Sequence, residues 1–216
     1  MKTPKGAQTR QRIVDRALEL FEKRGYAETT MSDIADAAGV SIGLAYRYFD
    51  RKEGLALALY EQLSDEVARR VKLPDGSVGE RWTALEQMRF KVLGPHRRTL
   101  LALLQAALDP ESELGALSPA TAGVRERWLG LHRTVVEGAT GSRAPAEELA
   151  RVLYAMDLLL VMYWMQDRTT NARATRDVVA RMSRFVDMAV AMPGATIAIA
   201  ELAKSFHSLA SPKERS

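Results

Sequence analysis

The 216-residue chain is 47% hydrophobic and 27% charged, the balance of a globular protein of one domain or two small ones, not of a disordered segment. It contains no cysteine, which excludes disulfides, thiolate metal sites and thiol nucleophiles and points to a reducing, cytoplasmic setting. Its three histidines (His96, His132, His207) are scattered, so neither a metal nor a cofactor is expected, and its longest apolar run, 158–165, is eight residues against the roughly 20 that span a bilayer.

The first twenty residues are polar and charged, so no secretory leader is expected. Residues 1–52 hold ten Lys/Arg against seven Asp/Glu, while the remainder is almost balanced. A basic end suggests an anionic partner such as nucleic acid, and a solvated terminus explains it equally well. Between Pro- and Gly-rich breaks every long segment has helical periodicity, and no run of β-branched and aromatic residues reads as a strand. The chain reads as all-α.

The first helix spans about 8–24, with Ile13, Ala17, Leu20 and Phe21 on one stripe and Gly25 as its left-handed stop. A short second helix starts after Thr30, whose hydroxyl can cap the amide of Asp33, and stops at Gly39. Ser41 opens a third short helix. Asp50, followed by Glu53 three residues later, resembles a capping box for a fourth helix over 51–71, with Leu55, Leu59, Leu63 and Val67 as its stripe. Further helices are expected over 78–93, 95–108, 119–140, 145–166 and 172–192. A last amphipathic one covers 195–209, with Ile199, Leu202, Phe206 and Leu209 on one face.

Residues 29–55, TTMSDIADAAGVSIGLAYRYFDRKEGL, carry the functional signal. A short helix, a Gly-containing turn and a second short helix let the two helices cross steeply. Ala35, Ala37 and Ala38 permit close approach, while Ile34, Val40, Leu44 and Phe49 form a wedge. What remains outward on the second helix is Ile42, Gly43, Tyr46, Arg47 and Tyr48. Polar tips, planar rings and one long cation suit a major groove. The pattern Ile34-Ala35, Ala38-Gly39-Val40-Ser41, Gly43, Tyr46, Tyr48-Phe49, Lys52-Glu53 and Leu55 resembles the helix-turn-helix of the tetracycline-repressor (TetR) family over about 8–60.

That resemblance implies a three-helix DNA-binding domain over 1–53, joined through a long helix to an effector-binding and dimerisation domain over 54–216. It implies DNA contacts from Thr30, Ser32, Ser41, Ile42, Gly43, Tyr46, Arg47 and Tyr48. It also implies a phosphate contact from Lys52, where an ammonium and a helix N-terminus meet one anion. Lys2, Lys5 and Arg10 are either an arm on the DNA backbone or a plain tail. Arg47 and Ala45 leave base preference open, with guanine the commonest partner of arginine.

Pairing of half-sites requires a dimer. The stripes Leu149, Leu153, Met156, Leu160 and Val178, Met182, Phe185, Ala189 suit a four-helix bundle between two copies, or equally the core of one copy. Trp82, Met88, Trp128, Leu131, Met162 and Tyr163 can line an effector cavity, with His132, Asp157 and Gln166 as polar contacts. Core packing explains each of these too. Asp157, isolated in an apolar stretch, is expected to form an ion pair with Arg181 or Arg184.

No nucleophile elbow, phosphate-binding Gly loop, HExxH or paired carboxylates appear, so an enzyme is not expected. The reading is a homodimeric regulator, most simply a repressor, that binds a pseudo-palindromic double-stranded operator and is released by a small hydrophobic effector. Two alternatives stay open. One is the same fold governed by a protein partner or by no effector, and the other is a helical carrier of a hydrophobic ligand that never touches DNA.

Overall fold

The computed structural model describes residues 4–142, 145–192 and 194–210. These form α1 (Pro4–Arg24), α2 (Met31–Ala38), α3 (Ile42–Tyr48), α4 (Lys52–Arg70), α5 (Val78–Leu93), α6 (Arg97–Leu108), α7 (Ala122–Glu137), α8 (Ala146–Gln166), α9 (Arg173–Ala191) and α10 (Ala195–Ala210). Among the described residues there is no strand, so the all-α expectation holds.

Several boundaries differ from expectation for local reasons. The first helix begins at Pro4, because proline is well suited to a first helical turn. Lys5 and Arg10 therefore sit within a helix and not on an arm, while Lys2 lies outside the described residues. The α4 helix begins at Lys52, one residue later than a cap at Asp50 requires. Glu53 does not close a box there; its carboxylate accepts the Tyr26 hydroxyl at 2.9 Å. An unforeseen capping box does form at Ser77 and Glu80. On α10, Ile199 is half-buried and Leu202 exposed, while the side chains of Phe206 and Leu209 lie outside the described residues.

The helices fall into two compact units, Met1–Leu63 with Pro95–Gly123 and Ser64–Gly94 with Val124–Ser216. In the first, α1 buries Ile13, Val14, Ala17 and Phe21, α2 buries Ile34 and Ala35, and α4 contributes Leu55, Ala56 and Leu59. These stripes have the i, i+3, i+4 spacing of one helix face, and their burial is the main driving force of the unit. The edge of the Tyr26 ring packs on Phe21, 5.0 Å between centroids.

In the second unit α5 packs along α9, and α8 along α10. Asp187 of α9 accepts from the Gly79 amide and the Ser77 hydroxyl, both at 2.8 Å, at the amino end of α5, where a carboxylate is favoured. A side chain at Gly79 would collide with the Ser183 carbonyl oxygen, so this close approach needs glycine. Buried Arg81 donates to the carbonyls of Val135 (2.9 Å), Thr134 (3.0 Å) and Pro74 (2.6 Å), the first two in the last turn of α7.

Asp167 organises the turn between α8 and α9. Its carboxylate accepts from the amide and hydroxyl of Thr169 (2.8 and 2.6 Å) and of Thr175 (2.8 and 2.7 Å). These bonds, the Thr169 hydroxyl foremost, hold its carboxyl well below the usual range. A depressed carboxyl stabilises the fold above its unfolded pKa, and the stabilisation is lost as the pH falls through the folded value. Asp167→Asn is therefore expected to lower the unfolding midpoint at neutral pH, with the gap to wild type closing below about pH 3.9. Thermal melts across pH 7 to 2 check this, and a gap independent of pH contradicts it.

Candidate nucleic-acid interface

One reciprocal cap, one simple cap and one glycine position the exposed short helix. The Thr30 hydroxyl accepts from the Asp33 amide at 3.2 Å, and the Asp33 carboxylate accepts from the Thr30 amide at 2.9 Å. The bonds from Thr30 hold the Asp33 carboxyl below its ordinary value. Gly39 closes α2 at φ 62°, a left-handed conformation that costs glycine little. The next amide but one to matter is that of Leu44, which donates to the Ser41 hydroxyl at 3.2 Å. The expected caps at Thr30 and Ser41 and the stop at Gly39 are all present.

Geometry then leaves α3 almost bare. Only Ala45 of its residues is buried. Ile42 is 47% and Tyr46 49% exposed, Gly43 and Arg47 are exposed, and Tyr48 is half-buried. Thr30, Ser32 and Ser41 are exposed as well, while Phe49 is core. Arg47 pairs with no carboxylate among the described residues. Nearby cations are engaged: Arg24 with Asp33 at 3.4 Å, and Arg51 with Glu113 at 2.5 Å. Arg10 stacks over the Phe49 ring at 4.8 Å.

Lys52 is a correction. Its ammonium donates to the carbonyls of Tyr26 (2.7 Å), Thr29 (3.0 Å) and Ala27 (3.3 Å) and lies 4.3 Å from the Tyr26 ring centre. An ammonium has three donors, and here they serve the loop before α2 instead of a phosphate. The side chain fastens the start of α4 to that loop. Sequence spacing had no means of showing this, because the acceptors are main-chain atoms. The Tyr26 hydroxyl is pushed upward by burial and by its bond to Glu53.

In the second unit the expected effector residues separate into three groups. Trp82, His132 and Asp157 are fully buried, and the first two both meet Asp157. Met88, Trp128 and Leu131 are half-buried. Met162 (37%), Tyr163 (46%) and Gln166 are exposed, so they do not line one cavity with Asp157. The buried group includes Glu86 and Arg89, which the sequence reading missed. Both sit among Val78, Trp82, Leu85 and Val92 on the buried side of α5, and a charged pair on an apolar helix face was the available signal.

Asp157 does form an ion pair, but with Arg89 at 2.7 Å and His132 at 2.6 Å, not with Arg181 or Arg184. The Trp82 indole donates to its other oxygen at 3.2 Å. Burial alone would raise the Asp157 carboxyl; the Arg89 guanidinium and then His132 outweigh it and hold the group low. Glu86, desolvated and facing Asp157, is pushed well above its usual value.

The α8 stripe is corrected as well. Leu149, Leu153 and Leu160 are buried within their own chain, and Met156 is half-buried. The apolar residues that α8 leaves in solvent are Leu159 (68%), Met162 and Tyr163. On α9, Val178, Met182 and Ala189 are half-buried and Phe185 is 60% exposed, followed by Met188 and Met192 at 57% and 59%.

These features define an all-α helix-turn-helix protein. Residues 13–59 match the model described as bacterial regulatory proteins, tetR family. The chain is 41% identical over 71 residues to the HTH-type transcriptional regulator TtgR of Pseudomonas putida, covering 32% of this chain and 34% of TtgR. It is 30% identical over 102 residues to the fatty acid metabolism regulator protein of Bacillus subtilis, covering 47% and 50%. The matched segments thus span about a third to a half of these curated relatives. Among solved structures, a TetR-family regulator from Syntrophomonas wolfei superposes with a TM-score of 0.67 at 18% identity, over 84% of this chain and 96% of that one. The FadR regulator of Bacillus subtilis, solved with stearoyl-CoA, gives 0.61 at 19% identity over 80% and 96%.

Replacing Lys52 by Met keeps the stem but leaves its carbonyl partners without their donor. Lys52→Met is expected to destabilise the protein by about 1–3 kcal/mol, read by denaturant unfolding. A change within about 0.5 kcal/mol, the scale of ordinary surface substitutions, would contradict the clamp.

Proposed function

We propose that the chain is a homodimeric transcriptional regulator, a repressor, that inserts α3 into the major groove of a pseudo-palindromic DNA operator. The observation that carries this is the bare outer face of α3, with Arg47 paired to no carboxylate among the described residues beside Ile42, Gly43, Tyr46 and Tyr48, on a segment that matches the tetR family. Arg47 reads a base edge, and Tyr46 and Tyr48 pack on the backbone or base edges. The hydroxyls of Thr30, Ser32 and Ser41 reach phosphates. In the family resemblance Lys52 was a phosphate contact; here it acts by holding the frame.

Dimerisation uses the solvent-facing apolar residues of the two long helices, Leu159, Met162 and Tyr163 of α8 and Phe185 and Met188 of α9, with Met192 just past its end. Exposed apolar residues this numerous favour an interface. A small hydrophobic effector is taken up by the second unit, with Met88, Trp128 and Leu131 as its contacts. The stearoyl-CoA bound by the similarly folded FadR supports a ligand of that kind. Its binding lowers DNA affinity only as far as it favours one of two conformations over the other.

Selection of bound duplexes from a randomised pool tests the reading. The wild type is expected to enrich a two-fold symmetric sequence. Arg47→Ala should lose about 1–3 kcal/mol of discrimination at one position in each half-site, while Lys52→Met leaves the salt dependence of binding unchanged. Absence of any enriched sequence overturns the proposal. Phe185→Asp should yield monomers in sedimentation at unchanged helicity, and a persisting dimer overturns the assigned interface.

A further inference from the structure

Three helices of the second unit each bring one metal-binding side chain to a common point. Glu86 of α5, His132 of α7 and Asp157 of α8 are fully buried, and one ligand atom from each lies within 4.8 Å of the others. The arrangement around them is that of oriented ligands. The Nδ1 of His132 lies 2.8 Å from the Trp128 carbonyl oxygen. A carbonyl can only accept, so this nitrogen carries a proton, and Nε2 is the ring atom turned inward toward Asp157. Asp157 has one oxygen occupied by the Trp82 indole at 3.2 Å, which leaves Oδ2 facing the same point. Carbonyl-oriented histidine and hydrogen-bonded carboxylate are the usual outer partners of a metal centre.

The inner atoms are the ones left over. His132 Nε2 and Asp157 Oδ2 are buried 2.6 Å apart, and neither makes an aligned hydrogen bond. An imidazole nitrogen and a carboxylate oxygen that close require a proton or another positive charge beside them. Arg89 supplies part of it: Nη1 lies 2.7 Å from Asp157 Oδ2 and 3.2 Å from a Glu86 oxygen. Its own Nε is buried without a partner, so the guanidinium is imperfectly served where it sits. The same guanidinium lies 4.8 Å from the centre of the half-buried Trp128 ring, a face able to hold a cation.

We propose that Glu86, His132 and Asp157 form a divalent transition-metal site, with Arg89 as the counter-cation that occupies it in the metal-free protein. One imidazole with two carboxylates suits zinc and its neighbours better than calcium or magnesium. Zinc–ligand distances of about 2.0–2.2 Å are within reach of three atoms grouped this closely. When the ion enters, the guanidinium gives up Asp157 and Glu86 and keeps the Trp128 ring it already lies against. The ligands are 46 and 25 residues apart in the chain, which is why no spacing motif announces them. The inference is independent of the regulator reading, since it is read as metal bound to the protein.

The test uses the full chain without an affinity tag, stripped with a chelator and titrated with Zn²⁺ against a chromophoric competitor. One Zn²⁺ per chain is expected. His132→Gln should abolish binding while circular dichroism stays wild-type. Arg89→Gln, which removes the competing charge, should tighten binding about tenfold. The ¹⁵N resonance of His132 Nε2 should shift on addition of Zn²⁺. Failure of both wild type and Arg89→Gln to take up Zn²⁺ overturns the proposal. So does uptake that survives His132→Gln, which would place the ion at His96 or His207. A protonated Nε2 that Zn²⁺ leaves unshifted also overturns it, because the pair then holds only a proton.

Discussion

A carboxylate with no access to water constrains the second unit more than any other single group. Asp157 interrupts the apolar stretch of α8 and is fully buried, where an uncompensated charge is far too costly to persist. Its neutralisation recruits Arg89 from α5 and His132 from α7, and its second oxygen recruits Trp82. Three helices are thereby held in one relative register by groups that have directional requirements, which apolar packing alone lacks. The same principle operates in the first unit with opposite sign. The Lys52 ammonium is satisfied by carbonyls of the loop before α2, so a cation that reads as surface charge fixes where α4 starts.

The outward face of α3 follows from this internal bookkeeping. Because Phe49, Ile34 and Leu55 supply the core and Lys52 and Tyr26 tie the loop, α3 has to bury little more than Ala45. Its remaining side chains are left wholly or partly in solvent. Both caps are made by residues three apart in sequence, so the exposed helix is set by local chemistry and does not depend on a distant contact.

Legibility in the sequence divides along the same line. Thr30, Gly39 and Ser41 could be placed from the sequence because capping and left-handed turns involve residues two to four apart. The core stripe of α1 and the exposed set on α3 were legible for the same reason, since one helical period decides both. Partners brought together by folding were not. Lys52 bonds to main-chain oxygens that carry no residue signature, and Asp157 meets Arg89 where hairpin neighbours Arg181 and Arg184 were expected. Leu149, Leu153 and Leu160 have the spacing of a seam between copies, but that spacing is identical for a helix buried in its own chain. Exposure at Leu159 and Phe185, not periodicity, separates the two.

A pair of α3 helices presented by a dimer should meet one face of a duplex twice. Hydroxyl-radical footprinting of the full chain on its tightest-binding promoter fragment measures this directly. The account predicts two protected patches on the same face, separated centre to centre by about 10–10.5 base pairs or a multiple of it. A single patch, or no protection even at low salt, would contradict it.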